Sequence, residues 1–190
     1  MKIVRGADLM AINDQLTQLV TRGRGSLAFI FGNEACRHRL LGSAINWDRV
    51  LLAFDGDRAL GYAAVKYDRR GPFSPRLAAF VHEFGALKGR LRFVLFCLSE
   101  CREWRYRFFL YGLRVDKSAR RLGVATALLD AVCALARERG AACLQLEVLR
   151  NNPAARQLYQ HYGFVASQPR RIRYLPVMKM HRVLGTGDEQ

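Results

Sequence analysis

Lysine is scarce in this 190-residue chain. Lys2, Lys66, Lys88, Lys117 and Lys179 are the only lysines among 31 Lys+Arg, which leaves 26 arginines. Acidic residues are few, 16 Asp+Glu, so the formal charge is +15. Long apolar runs are missing too. The most apolar stretch, residues 93–98, falls far short of the roughly 20 residues that a membrane-spanning helix needs, and Asp8 interrupts the N-terminus before any signal-length run. The expectation is a protein that is neither exported nor membrane-spanning, with no membrane partner. Five cysteines, Cys36, Cys97, Cys101, Cys133 and Cys143, are an odd number without CxxC spacing. That excludes a disulfide framework and a zinc cluster and fits a reducing cytoplasm. Neither GxxxxGKS nor GxGxxG is present, which excludes a Walker A loop and a dinucleotide fingerprint. No repeat or low-complexity tract occurs, and 51% hydrophobic with 25% charged residues is the composition of one folded globular domain.

What is abundant is arginine, whose planar fork suits phosphate and carboxylate. A surface so basic predicts attraction to anions such as nucleic acid, the ribosome, anionic lipid or a phosphorylated cofactor, without choosing among them. A solvated basic face is the plainer explanation of the same excess.

Leu9, Ile12, Leu16 and Leu19 follow helical spacing, predicting a helix over residues 7–20 with Asp8 as its cap, broken by the Gly/Arg loop at residues 21–26. A second helix is expected over 34–43, then strands over 49–54 and 59–67 joined by a hairpin at Asp55-Gly56-Asp57. Residues 71–107 differ in character. Ser74 before Pro75 reads as a helix start, and Leu77, Phe80, Val81 and Phe84 mark one helical face. After residues 85–89, Leu91, Val94, Leu95 and Leu98 repeat that spacing, which predicts a helical hairpin, with a strand over 91–98 as the alternative.

The second half alternates strand and helix. A strand is expected over 108–115, a helix over 121–139 closed by Gly140, a buried strand over 143–149, a helix from Pro153 to Tyr162 capped by Asn152, and closing strands over 164–167 and 172–180. The order implies an α/β fold with at least one parallel crossover. The turn Arg120-Arg121-Leu122-Gly123-Val124-Ala125 feeds a helix N-terminus, where unpaired N–H groups let a phosphate approach. The helix dipole adds about 0.3–1 kcal/mol per anionic group. Close packing of helix on sheet would also explain Gly123.

Residues 115–125, VDKSARRLGVA, resemble the acetyl-CoA signature of the GCN5-related N-acetyltransferase (GNAT) family, R/Q-x-x-G-x-G/A. A second signature follows in Leu146-Glu147-Val148, Asn152-Pro153-Ala154-Ala155 and the run from Leu158 to Phe164. The resemblance covers about residues 108–166. It implies a single-domain α/β (α+β) GNAT fold over residues 1–184, in which a mixed, twisted sheet is flanked by helices and two parallel strands splay around acetyl-CoA. Gly112 is the place for a bulge to open such a gap. Residues 71–107 would be an insertion and 185–190 a tail. The resemblance further implies that Leu113, Arg114 and Val115 meet the pantetheine arm and that Arg120, Arg121, Leu122, Gly123, Val124, Ala125 and Thr126 hold the pyrophosphate. Asn152 would contact the cofactor, although capping alone would also account for it.

Acetyl transfer needs a neutral amine, a stabilised oxyanion and a proton for the thiolate. No carboxylate lies in residues 108–115. Glu147 is the nearest candidate base, and Tyr159, twelve residues on, is similarly spaced to the acid of the ribosomal-protein alanine N-acetyltransferase subfamily. Pairing of Glu147 with arginine and core packing of Tyr159 are the alternatives. The backbone N–H of Val115 is the expected oxyanion donor. The acceptor is expected to be an amine of a small molecule or a protein, and no metal is implied. Residues 71–107 could form a lid over the acceptor or a homodimer interface; His82 and Glu83 could touch the acceptor or be simply a solvated surface pair. A basic protein of the same fold contacting ribosome or nucleic acid is the rival function.

Overall fold

Asn13 and Asn33, rather than Asp8, start the first helices. The computed structural model describes residues 1–22, 28–167 and 177–185. Its N-terminus is a strand that the apolar spacing had hidden, β1 (Lys2–Arg5), followed by a 3-10 turn at Gly6–Asp8. Helix α1 (Asp14–Thr21) begins only where the Asn13 side chain accepts from the Leu16 N–H, and α3 (Glu34–Leu41), after the one-turn α2 (Ala28–Phe31), repeats that cap with Asn33 and the Cys36 N–H. Most of the Gly/Arg loop expected at 21–26 lies outside the described residues.

The hairpin of β2 (Val50–Asp55) and β3 (Arg58–Tyr67) turns at Gly56-Asp57, as its sequence predicts. Then come α4 (Leu77–Phe84), α5 (Ala86–Arg102), β4 (Phe108–Val115), α6 (Val124–Glu138), β5 (Cys143–Leu149), α7 (Pro153–His161), β6 (Val165–Ala166) and β7 (Val177–Val183). The closing strand expected over 172–180 thus runs three residues further, and its 172–176 portion lies outside the described residues, as do Arg170, Arg171, Arg173 and 186–190. The sheet is seven-stranded in the order β1-β2-β3-β4-β5-β7-β6. All its neighbours are antiparallel except β4 and β5. This is a mixed α/β fold with helices on both faces of the sheet.

Alternation along the central strands divides two cores. On one face Ala63, Val65 and Tyr67 of β3 and Leu144, Leu146 and Val148 of β5 pack against Leu128, Leu129, Val132 and Ala136 of α6. On the other, Tyr62 and Ala64 of β3 and Phe109 and Tyr111 of β4 meet α1, α3 and the α4–α5 hairpin through Phe80 and Phe96.

The helical hairpin forms, and the strand alternative for residues 91–98 is excluded. Its details differ from the sequence expectation. Ser74 does not cap α4: the helix begins at Leu77, with Arg76 at the cap position and no side-chain cap bond. Gly85, at φ +79°, makes the break alone, while Gly89 lies inside α5, where an added Cβ would fall 2.5 Å from the Phe80 carbonyl oxygen. The absent side chain lets the two helices touch. That contact rotates α5 so that Phe93 and Phe96 turn inward, while Leu91 and Leu98 are each 61% exposed and Val94 is 52% exposed. Of the stripe marked by the sequence, Leu91, Val94 and Leu98 face out and Leu95 packs half-buried against the core, because the aromatic residues beside it fill more of the space over the sheet. Among the described residues, no helix is long and apolar enough to cross a membrane.

Candidate functional site

Strands β4 and β5 pair at only two positions, Phe109 with Gln145 and Leu110 with Leu146. The cause lies on the other side of β4. Its register with β3 slips between Ala64, opposite Gly112, and Val65, opposite Leu110, so Tyr111 is an extra residue. A bulge bends its strand, and from Tyr111 onward β4 leaves β5. Gly112 therefore sits at the bend, where the sequence suggested it. Among the described residues, the main-chain groups of 112–115 that face β5 have no strand partner.

Beyond the gap the chain makes a 3-10 turn at Lys117–Ala119, in which Asp116 caps the Ser118 N–H at 3.0 Å. Hydrogen bonds from Ser118, with Arg58 and Arg120 nearby, hold the Asp116 carboxyl below its ordinary range. Arg121 and Gly123 follow at φ +64° and +75°. Glycine tolerates the left-handed region, whereas arginine there is uncommon. The turn delivers α6 with its first N–H groups lacking intrahelical acceptors. The helix starts at Val124, three residues later than the sequence pattern placed it, so Arg121 to Gly123 form the loop that faces the groove.

Strand gap, turn and helix start enclose one groove of about 520 Å³. Leu113, Arg114, Val115, Arg120, Arg121, Gly123, Val124, Ala125, Thr126, Asn152 and Tyr159 all line it. Leu122 is in the turn but 68% exposed and outside the lining. Asn152 caps α7 through the Ala155 N–H at 3.1 Å, so capping and groove lining coexist in one side chain. Sequence reasoning missed Ala119, Ala154, Ala155 and Leu158 as lining residues. The last three sit in the second motif, and for Ala154 and Ala155 small size beside the Asn152 cap was the available signal.

Glu147 is not in that lining. It follows Leu146, the last residue of β5 paired to β4, and alternation turns it to the face opposite Leu146 and Val148. There the Tyr106 hydroxyl donates to its Oε1 at 3.5 Å, with the Tyr106 ring stacked on Phe109 and Lys179 Nζ 5.5 Å from that ring. Tyr159 lies on the groove face, edge-on to Phe164, and burial pushes its phenol up to about 12. The two candidate groups thus flank the strand gap from opposite faces.

Glu83 is bound to Arg39 at 2.5 and 3.0 Å, which draws its carboxyl down to about 2. His82 is exposed on the same helix. Arg114, besides lining the groove, donates to the Arg22 carbonyl at 3.0 Å.

A profile described as the acetyltransferase (GNAT) family matches residues 27–164. Among solved structures, SsHAT superposes with a TM-score of 0.68 at 15% identity, covering 97% of this chain and 98% of its own. Ard1 from Thermoplasma volcanium gives 0.56 at 19% identity, covering 96% and 97%. The ribosomal-protein-S18-alanine N-acetyltransferase from Escherichia coli gives 0.53 at 16% identity, covering 100% and 97%. At such identities these likenesses establish the fold. No curated protein matches the sequence.

Proposed function

We propose that this chain, which belongs to the acetyltransferase (GNAT) family, transfers acetyl from acetyl-CoA to a primary amine by direct attack in a ternary complex. The observation that carries the proposal is the gap between β4 and β5, with a phosphate-suited helix start at one end and ionisable groups on both faces of the other. The N–H groups at the start of α6, with Arg120 and Arg121, take the pyrophosphate of the donor. Leu113 to Val115 offer unpaired main-chain groups to its pantetheine arm, and the Val115 N–H is the oxyanion donor. Asn152, at the α7 cap, meets the donor from the opposite wall.

The acceptor amine reaches the thioester from the Glu147 face. Glu147 takes the ammonium proton, directly or through one or two waters. The amine nitrogen then attacks the carbonyl carbon, collapse of the tetrahedral adduct breaks the C–S bond, and the surplus proton of that nitrogen passes to the departing thiolate, directly or through water, leaving the amide and the free thiol of CoA. Tyr159 stands on the other face. A phenol raised to about 12 keeps its proton at neutral pH. Complete transfer to a thiolate, whose acid has a pKa near 8.5, would be uphill. Tyr159 therefore stabilises the departing sulfur chiefly as a hydrogen-bond donor. The +15 charge works against polycationic acceptors, which favours a protein or small-molecule amine of low positive charge.

The test is release of free thiol from acetyl-CoA across four acceptors: a peptide with a free alanyl N-terminus, an N-blocked lysyl peptide, spermidine and an aminoglycoside. Turnover on at least one is expected, with Glu147→Gln lowering kcat by about 10²–10⁴-fold. Acetyl-CoA binding without turnover on any amine would overturn the proposal.

A further inference from the structure

Beneath the outer helices lies a buried lysine that none of the chemistry above uses. Lys66 of β3 is 1% exposed, and its Nζ donates to Glu100 Oε2 and to the Glu100 carbonyl, each at 2.7 Å, and to Glu103 Oε2 at 3.3 Å. The other oxygen of Glu100 accepts from the Tyr111 hydroxyl at 2.9 Å. Tyr111 is the extra residue of the β4 bulge. One carboxylate near the C-terminal end of α5 therefore joins the ammonium of β3 to the residue at which β4 turns away from β5. Glu103 continues the connection, since its carbonyl accepts from the Tyr106 N–H at 3.0 Å and Tyr106 reaches Glu147.

A bulge residue has no cross-strand partner to fix it, and a shift by one residue turns every following side chain to the other face of the sheet. In β4 that shift would carry Leu113 and Val115 away from the groove and let β4 and β5 pair further, closing the gap. An apolar residue at position 66 could fill the same space without specifying which residue of β4 protrudes. Hydrogen bonds from Lys66 and Tyr111 to the two oxygens of one carboxylate do specify it.

We infer that Lys66, Glu100 and Tyr111 form a brace that holds the β4 bulge in register, so that residues 71–107 position the acetyl-CoA slot from behind as well as flanking the acceptor side. These are positioning residues, since none of them lines the groove. The inference rests on the proposed use of the groove for acetyl-CoA.

Calorimetric titration of acetyl-CoA into the full chain tests it without any acceptor, at a temperature where near-ultraviolet circular dichroism shows each variant folded. Tyr111→Phe keeps the ring beside Phe73 (6.0 Å between centroids) and removes only the hydroxyl. Its Kd for acetyl-CoA should rise about 3- to 10-fold, the range for one hydrogen bond lost. In a Glu100→Ala background the same change should add nothing, because the brace is already cut. Glu100→Gln, which keeps an acceptor, should lie nearer the wild type. A Tyr111→Phe Kd equal to wild type would overturn the brace, and so would an equal rise in both backgrounds. Lower melting temperature with unchanged Kd would reduce the cluster to a purely structural role. Wild-type protein that fails to bind acetyl-CoA would overturn the proposed function and, with it, the role of the brace at the slot, an outcome distinct from binding that Tyr111→Phe leaves unchanged.

Discussion

The groove and the α4–α5 hairpin are built by opposite means. The groove presents mostly main chain: strand groups at 112–115 unpaired among the described residues, helix N–H groups after Gly123, and small residues, Ala119, Ala125, Ala154 and Ala155, that keep side chains out of the way. The hairpin works through large side chains, with Phe80, Phe93 and Phe96 packed at centroid distances of 5.5–6.5 Å and a buried ion-pair cluster beneath them. A main-chain site tolerates changes of side chain wherever the backbone path survives. A side-chain scaffold depends on each partner being present, and here it supports the other region.

Lys66→Met should break that contrast most forcefully. It keeps much of the lysine volume but leaves two carboxylates, Glu103 almost fully buried, without their ammonium. Removing one partner of a buried ion pair costs about 3–5 kcal/mol. Urea denaturation should show a loss of that order, together with weakened acetyl-CoA binding in the folded fraction. A loss below about 1 kcal/mol would mean that the cluster is well solvated and that the hairpin stands on its aromatic packing alone.

Short motifs made the groove legible. The residues from Val115 to Ala125 and the Asn152 cap act through backbone conformation, and backbone conformation is what Gly, Pro and capping residues encode locally. Nothing comparable pointed to Tyr111, whose place as the extra residue follows from the pairing of β4 with β3, where Gly112 lies opposite Ala64, 48 positions earlier in the chain. The hairpin was legible as two helices but not in its orientation, because Leu91, Val94 and Leu98 have the same period as Phe93 and Phe96 one step away. Periodicity marks a face as apolar; which of two apolar faces is buried depends on the volume to be filled over β3 and β4. Asp8 failed as a cap for a related reason: β1 pairs with β2 from Lys2 to Arg5, and that long-range ladder takes the residues that would have led into an earlier helix.

Tyr159 sharpens the comparison from the groove side, where it is the one large, buried side chain with an ionisable group. Burial raises its phenol from 10 to about 12. A folded-state value above the unfolded one means that the folded protein holds this proton more tightly, so the associated stability is complete below pH 10 and is lost as pH rises from 10 towards 12. Two units correspond to about 2–3 kcal/mol. Tyr159→Phe should lack this part of the alkaline decline, measured as urea midpoints at pH 8, 10 and 11.5 against wild type. Parallel declines in the two proteins would show that the phenol is solvated, and would weaken its assignment as a donor that stays protonated.

The smallest effect is expected where the sequence pattern looked most like core. Leu87, Leu91, Val94 and Leu98 recur at intervals of four, three and four on the outer side of α5, and all four are exposed. Surface substitutions away from special features change stability by about 0.5 kcal/mol or less. Leu98→Glu should therefore leave the urea midpoint of dilute protein almost unchanged, whereas Phe96→Ala, two residues away on the buried side, should cost about 3–5 kcal/mol. The contrast separates the two faces of one helix with one experiment. If Leu98→Glu instead destabilises by more than 1 kcal/mol at every protein concentration, α5 is rotated towards the sequence-based expectation. A loss that appears only at high concentration would show that a second copy covers this face. Because Lys88 and Arg90 flank the stripe and both acids of α5 and its following turn are drawn inward to Lys66, such self-association would set cation against cation, and it should strengthen as salt is added.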